Sequence, residues 1–143
     1  MLFRSITGGE LVQPDAQAAI FLPAGVRGPA FLLRDNFSVI LKYNNATSYA
    51  LAVGLLSDRL RGADGVIGTW PRDELPMTVM DAIALQDGLT ALGFNTGGTD
   101  GIMGRLTRAA VRAYQKARNI PADGFATHAL LDLVNAERLQ KGV

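Results

Sequence analysis

The sequence predicts a mainly α-helical protein in two parts, the first with short strands ahead of its helices and the second built from three helices. Three observations carry this. Apolar residues recur at helical spacing in several stretches beyond residue 35. Short apolar runs bounded by Gly and Pro fill the first 34 residues. A Gly- and Pro-rich stretch, with Gly62, Gly65, Gly68, Pro71 and Pro76, lies between the two parts.

In the first part, Leu11-Val12 precedes the turn-like Gln13-Pro14-Asp15. Residues 19–22 form an apolar run stopped by Pro23, and residues 30–33 follow Gly28-Pro29, so both read as brief strands. Asp35 or Asn36 is suited to cap a helix over residues 37–43, because a short polar side chain accepts a backbone N–H bond. A second helix, capped by Thr47 or Ser48, runs to about residue 61 with Tyr49, Val53, Leu56 and Leu60 on one apolar stripe. Gly62 ends it. The expected division is a first segment over 1–62, a linker over 63–77 and a domain over 78–143. Trp70, in the linker, reads either as a ring that docks the linker or as a sugar-stacking platform.

In the second part, Thr78 is placed to cap a helix whose face holds Leu85, Leu89 and Leu92, with Ile83 fitting loosely and Gly93 as the stop. A loop over 94–104 leads to a helix over 105–118 with Leu106, Ala110, Ala113, Tyr114 and Ala117 expected inward. Thr127 is placed to cap a last helix over 129–140, facing inward with Leu130, Leu131, Val134 and Leu139. An imperfect repeat runs through this part: Leu85-Gln86 is echoed by Tyr114-Gln115, and Asp100-Gly101 by Asp123-Gly124. Asp bonds nearby backbone N–H groups and Gly supplies positive φ, so each Asp-Gly reads as a tight turn ahead of a helix.

Composition narrows function. In 143 residues, 48% are hydrophobic and 19% charged, which is the profile of a folded chain. The net charge is +1, and Arg59, Arg61, Arg105, Arg108, Arg112, Lys116 and Arg118 read as interspersed with acids and apolar residues. They read as a solvated face, and nucleic acid is not expected as a partner. No cysteine is present, which excludes disulfides, thiolate metal sites and thiol nucleophiles. His128 is the only histidine, so no multi-histidine metal site is expected, and no cofactor is indicated. No apolar run reaches the length of a membrane span, and the first ten residues do not read as a signal peptide.

Leu85-Gln86, Leu89, Leu92-Gly93-Phe94, Asp100-Gly101-Ile102-Met103-Gly104, Thr107, Ala110-Val111, Tyr114-Gln115 and Asp123-Gly124 together resemble the peptidoglycan-binding domain of the first type, over about 60 residues. That family is a three-helix domain. Arg105-Leu106 departs from it, since many members carry proline at that helix start. In the first part, Pro23-Ala24-Gly25, Gly28-Pro29-Ala30-Phe31-Leu32, Asn36-Phe37, Val39-Ile40, Lys42-Tyr43-Asn44, Tyr49-Ala50-Leu51-Ala52-Val53 and Asp58-Arg59-Leu60 resemble the closing segment of the catalytic domain of the lytic murein transglycosylase B family, over residues 11–62. The resemblance implies the end of a lysozyme-like catalytic domain followed by the three-helix domain.

Such enzymes cleave between N-acetylmuramic acid and N-acetylglucosamine without water, leaving a 1,6-anhydro sugar. One Glu serves as acid and then base around an oxocarbenium-like transition state. By this resemblance Tyr43, Asn44 and Tyr49 line the substrate site, where amide and phenol groups orient the N-acetyl group. Read from the residues alone, Tyr43 and Tyr49 are core aromatics with a satisfied hydroxyl and Asn44 a helix-end residue that tolerates positive φ. The family's catalytic Glu lies upstream of the matched segment. Glu10, Glu74 and Glu137 do not stand in its context, so no catalytic residue is assigned and the chain reads as a truncated enzyme. Peptidoglycan is the expected partner. The resemblance implies a periplasmic or outer-membrane-associated location. The alternative is a non-enzymatic wall-binding adaptor. The small first segment is expected to make a marginal core, with Ile20, Phe21, Phe31 and Phe37 in want of cover.

Overall fold

The computed structural model describes residues 17–142 and is mainly helical, with five helices and two short strands among them. The Leu11-Val12 run, the Gln13-Pro14-Asp15 turn and Glu10 lie outside the described residues. The chain divides into two compact units, residues 1–70 and 71–143.

In the first unit, β1 (Ala19–Phe21) and β2 (Phe31–Leu33) pair antiparallel, with Phe21 opposite Phe31. The two apolar runs that Pro and Gly punctuate are these strands. A single 3-10 turn, Gly25–Arg27, joins them, and Gly25 sits at φ 64. Helix α1 (Asp35–Tyr43) follows at once, and α2 (Thr47–Leu60) packs on it. Their core is Phe31, Phe37, Ala50 and Leu51, with Phe21, Leu33, Ile40, Leu41, Leu55 and Val66 packed around it. The Phe21 and Phe37 rings meet at 6.1 Å between centroids.

Two expectations for this unit fail. Neither helix has a side-chain cap: Arg34 precedes α1 and Ala46 precedes α2, both in extended conformation. The buried face of α2 is Ala50, Leu51, Gly54 and Asp58, whereas Leu56 and Leu60 are 61% and 81% exposed. Leu51 and Leu55 face the core and Leu56 and Leu60 point out. Ile20, expected to need cover, is exposed, while Phe31 and Phe37 are buried.

The second unit is α3 (Val79–Ala91), α4 (Arg105–Ala117) and α5 (His128–Lys141). Thr78 and Thr127 cap α3 and α5 as expected. Thr78 accepts from the Asp81 N–H at 3.2 Å, and the Asp81 carboxylate accepts from the Thr78 N–H at 2.8 Å, a reciprocal capping box. Thr127 accepts from the Leu130 N–H at 3.1 Å. Each such cap stabilises its helix by about 1 kcal/mol. Gly104 precedes α4 without a side-chain cap. Leu85, Leu89, Ala110, Val111, Tyr114, Leu130, Leu131 and Val134 form the core. Phe94 meets Tyr114 edge-on, 5.4 Å between centroids. Helices α3 and α5 pack closely because of Gly88: a Cβ there would stand 2.6 Å from Cγ1 of Val134.

The inward face of α4 is rotated from the expected one. Thr107, Ala110, Val111, Tyr114 and Gln115 are buried, whereas Leu106, Ala113 and Ala117 face out. Leu106 instead covers Gly97 in the preceding loop. Leu139, expected inward on α5, is 83% exposed.

Candidate functional site

The imperfect repeat of the sequence is a repeated hydrogen-bond unit. Gln86, on α3 and 1% exposed, receives the Gly101 N–H on Oε1 at 2.8 Å and donates from Nε2 to Asp100 Oδ1 at 2.9 Å. Gln115, on α4, receives the Gly124 N–H at 2.8 Å and donates to Asp123 Oδ1 at 2.7 Å. Each aspartate also accepts the N–H two residues on, Ile102 at 2.9 Å and Phe125 at 2.9 Å. Gly101 and Gly124 sit at φ 74 and 73, which glycine adopts without strain. Each glutamine thus latches the turn that leads into the next helix. The Asp100 carboxyl is held below its usual range, first by Gln86 and then by the Ile102 N–H. Thr107 adds a further link, accepting from Gln86 Nε2 at 3.1 Å.

One outward stripe of α4 is cationic. Arg105, Arg108, Arg112 and Lys116 follow an i, i+3, i+7, i+11 pattern, which puts them on one exposed stripe opposite Val111 and Tyr114. Along the sequence these charges look scattered; the helical period gathers them, and that spacing was the available signal. Arg108 donates from Nε to the Met103 carbonyl at 3.1 Å, and the Arg112 guanidinium lies beside Gly124. Ion pairs elsewhere in this unit join Arg118 to Glu137, Arg138 to Asp87 and Lys141 to Glu137. Hydrogen bonds from Arg118, then from Lys141, hold the Glu137 carboxyl down at about 2. His128, the lone histidine, pairs with Asp81 at 3.3 Å.

In the first unit Tyr43 ends α1 and Tyr49 lies in the first turn of α2. Their rings stack, 6.3 Å between centroids and 29° between planes. Neither is a core aromatic: Tyr43 is 84% exposed and Tyr49 39%. Asn44 lies between the helices, exposed, at φ −140 rather than in the left-handed region. Its N–H reaches the Ile40 carbonyl at 3.1 Å, and its own carbonyl accepts the Ala46 N–H at 2.7 Å, so the tight turn brings the two tyrosines together. Two phenol rings beside an exposed amide suit a sugar, whose C–H faces stack on rings and whose N-acetyl group needs hydrogen bonds. Trp70 packs against Phe31 at 6.3 Å between centroids and is partly exposed. Among the described residues, no group of three or more His, Asp or Glu is placed to hold a metal ion. No helix among them is long and apolar enough to cross a membrane.

Residues 2–58 match the transglycosylase SLT domain family, and residues 80–134 match the family of the putative peptidoglycan binding domain. The chain thus carries, in this order, a segment similar to a transglycosylase SLT domain and a segment similar to a peptidoglycan binding domain. The structure is similar to SltB3 from Pseudomonas aeruginosa, solved in complex with NAG-anhNAM-pentapeptide, at 47% identity and a TM-score of 0.82 over 89% of this chain and 35% of that one. It is similar also to SltB3 solved with NAG-NAM-pentapeptide, at 48% identity and a TM-score of 0.82 over 88% of this chain and 34% of that one. The chain therefore spans about a third of the length of these structures. No curated protein matches it.

Proposed function

We propose that this chain binds peptidoglycan, as the wall-attaching portion of a lytic transglycosylase of the cell envelope. The observation that carries this reading is the order of the two matches, transglycosylase segment before peptidoglycan-binding domain, in a chain nearly half identical to SltB3. In this reading Tyr43, Asn44 and Tyr49 contact the glycan: the stacked phenols offer an apolar face to a sugar ring, and the Asn44 amide is free to meet an N-acetyl group. The chemistry of the whole enzyme is non-hydrolytic cleavage, in which the muramic acid 6-hydroxyl attacks its own anomeric carbon and the 1,6-anhydro ring closes. The three residues position substrate for that step and transfer no proton.

Co-sedimentation of the full chain with purified peptidoglycan sacculi tests the reading. The expected result is pelleting at micromolar protein, reversed by prior digestion of the sacculi with a muramidase. Protein left in the supernatant while an established wall-binding domain pellets would overturn it. A second arm tests the glycan contact: Tyr49→Ala should weaken binding of a soluble NAG-NAM saccharide, followed by chemical-shift changes, and equal shifts in both proteins would remove Tyr49 from the site.

A further inference from the structure

We infer that the outward stripe of α4, Arg105, Arg108, Arg112 and Lys116, is the docking surface for the carboxylates of the peptidoglycan stem peptide. The inference rests on the proposed wall binding and assigns a surface and a ligand chemistry to it. The first support is a cost that the fold does not require. Residues 105–117 contain no Asp or Glu, so the cations have no acidic partner on their own helix. Arg108, Arg112 and Lys116 are spaced at i, i+4, where like charges destabilise a helix. Arg105 opens the helix, where the backbone dipole disfavours a cation.

The second support is complementarity. Stem peptides carry several carboxylates, and guanidinium groups bind carboxylate with two parallel hydrogen bonds. From Arg105 to Lys116 the helix rises about 17 Å at about 1.5 Å per residue. Five extended residues at about 3.3 Å each span about the same distance. The stripe therefore matches a pentapeptide laid along the helix, with charges along its length. Glu137 and Asp87 are committed to other cations.

The test compares the full chain with R105Q/R112Q/K116Q, leaving Arg108 because it also bonds the Met103 carbonyl. Sacculus sedimentation and titration with soluble stem pentapeptide are the readouts, each at low and high salt, with circular dichroism confirming the fold. The expected result is binding roughly tenfold or more weaker in the variant, with a flatter salt dependence. The same peptide with its carboxylates amidated should bind the unaltered chain as weakly as the variant binds the acid form. If the triple variant does not fold, R105Q/K116Q serves, and a several-fold loss is expected. Undiminished binding by a folded variant overturns the inference and leaves wall binding intact. Tighter binding to single-stranded DNA than to the peptide also overturns it. Failure of the unaltered chain to pellet removes the underlying function and the inference together.

Discussion

Gln86 receives the backbone N–H of Gly101 on its side-chain oxygen while its nitrogen donates to Asp100, so one buried amide satisfies both sides of a turn. Gln115 does the same for Gly124 and Asp123. Removing either amide strands buried polar groups. Gln86→Ala and Gln115→Ala are each expected to destabilise the second unit by roughly 1–3 kcal/mol in denaturant unfolding. Gln86→Glu is expected to do worse at neutral pH, because a carboxylate then faces Asp100, and to recover in part as the pH is lowered. Equal stability of Gln86→Glu and the parent at pH 7 would contradict the assigned donor.

Leu89 is fully buried in the core of the second unit. Leu89→Ala is expected to cost roughly 2–5 kcal/mol through lost burial and a residual cavity. Gly88→Ala tests the helix contact from the other side. Alanine favours a helix by about 1 kcal/mol, yet the added Cβ would meet Val134 at 2.6 Å, so the substitution is expected to destabilise. Gly88→Ala combined with Val134→Ala should cost less than the sum of the two changes, as a double-mutant cycle on thermal unfolding will read. Strict additivity would mean that the two residues do not meet.

Acid should weaken the second unit in a defined window. The Glu137 carboxyl sits at about 2, below its ordinary 4.5, through Arg118 first and Lys141 second. Asp81 is lowered from 3.8 chiefly by the Thr78 hydroxyl and then by the Thr78 N–H, and Asp100 by Gln86. Depressed carboxylates bind fewer protons when folded, so their contribution is present above the unfolded values and is lost as pH falls through the folded ones. The unfolding midpoint is expected to drop between about pH 4.5 and 2. Glu137→Gln should flatten that drop, and a profile that is unchanged by this substitution would remove Glu137 as a contributor.

The purified chain is expected to release no 1,6-anhydro products from sacculi. Among the described residues the glutamates are Glu74 and Glu137. Both lie outside the transglycosylase match at residues 2–58, and Glu137 is held ionised by its cations. An acid held near 2 is a poor proton donor at neutral pH. Mass spectrometry of the soluble fraction checks this. Anhydro products abolished by Glu10→Gln would assign catalysis to Glu10.

The helices of the second unit were legible because their signals are local: Thr78 and Thr127 cap as read, and Gly93 and Gly101 take the positive φ expected at helix end and turn. The face of α4 was not, because an apolar count places Leu106 inside and Gln115 outside. Gln115 is buried because Asp123 and Gly124 of the following turn satisfy its amide, which no apolar periodicity encodes. The outward Leu56 and Leu60 of α2 were misread because the buried face is Ala50, Leu51, Gly54 and Asp58, a set that includes small and polar residues that an apolar count passes over. The exposure of Tyr43 and Tyr49 was equally hidden, since a phenol reads the same inside or out until its helix is turned.

The two glutamine latches also set an order of events during folding. Gln86 and Asp100 are 14 positions apart, and Gln115 and Asp123 only 8, whereas the Asp87–Arg138 pair that ties α3 to α5 spans 51. Short loops close at small entropic cost and long ones at more. The turns ahead of α4 and α5 therefore form while the chain is still open, each aiming its helix before α5 docks. Gln115→Ala should then slow refolding, whereas Val134→Ala, on the late-docking face, should chiefly speed unfolding in stopped-flow measurements. The reverse pattern would place the docking of α5 first. A domain that sets its corners early exposes its apolar helix faces only briefly.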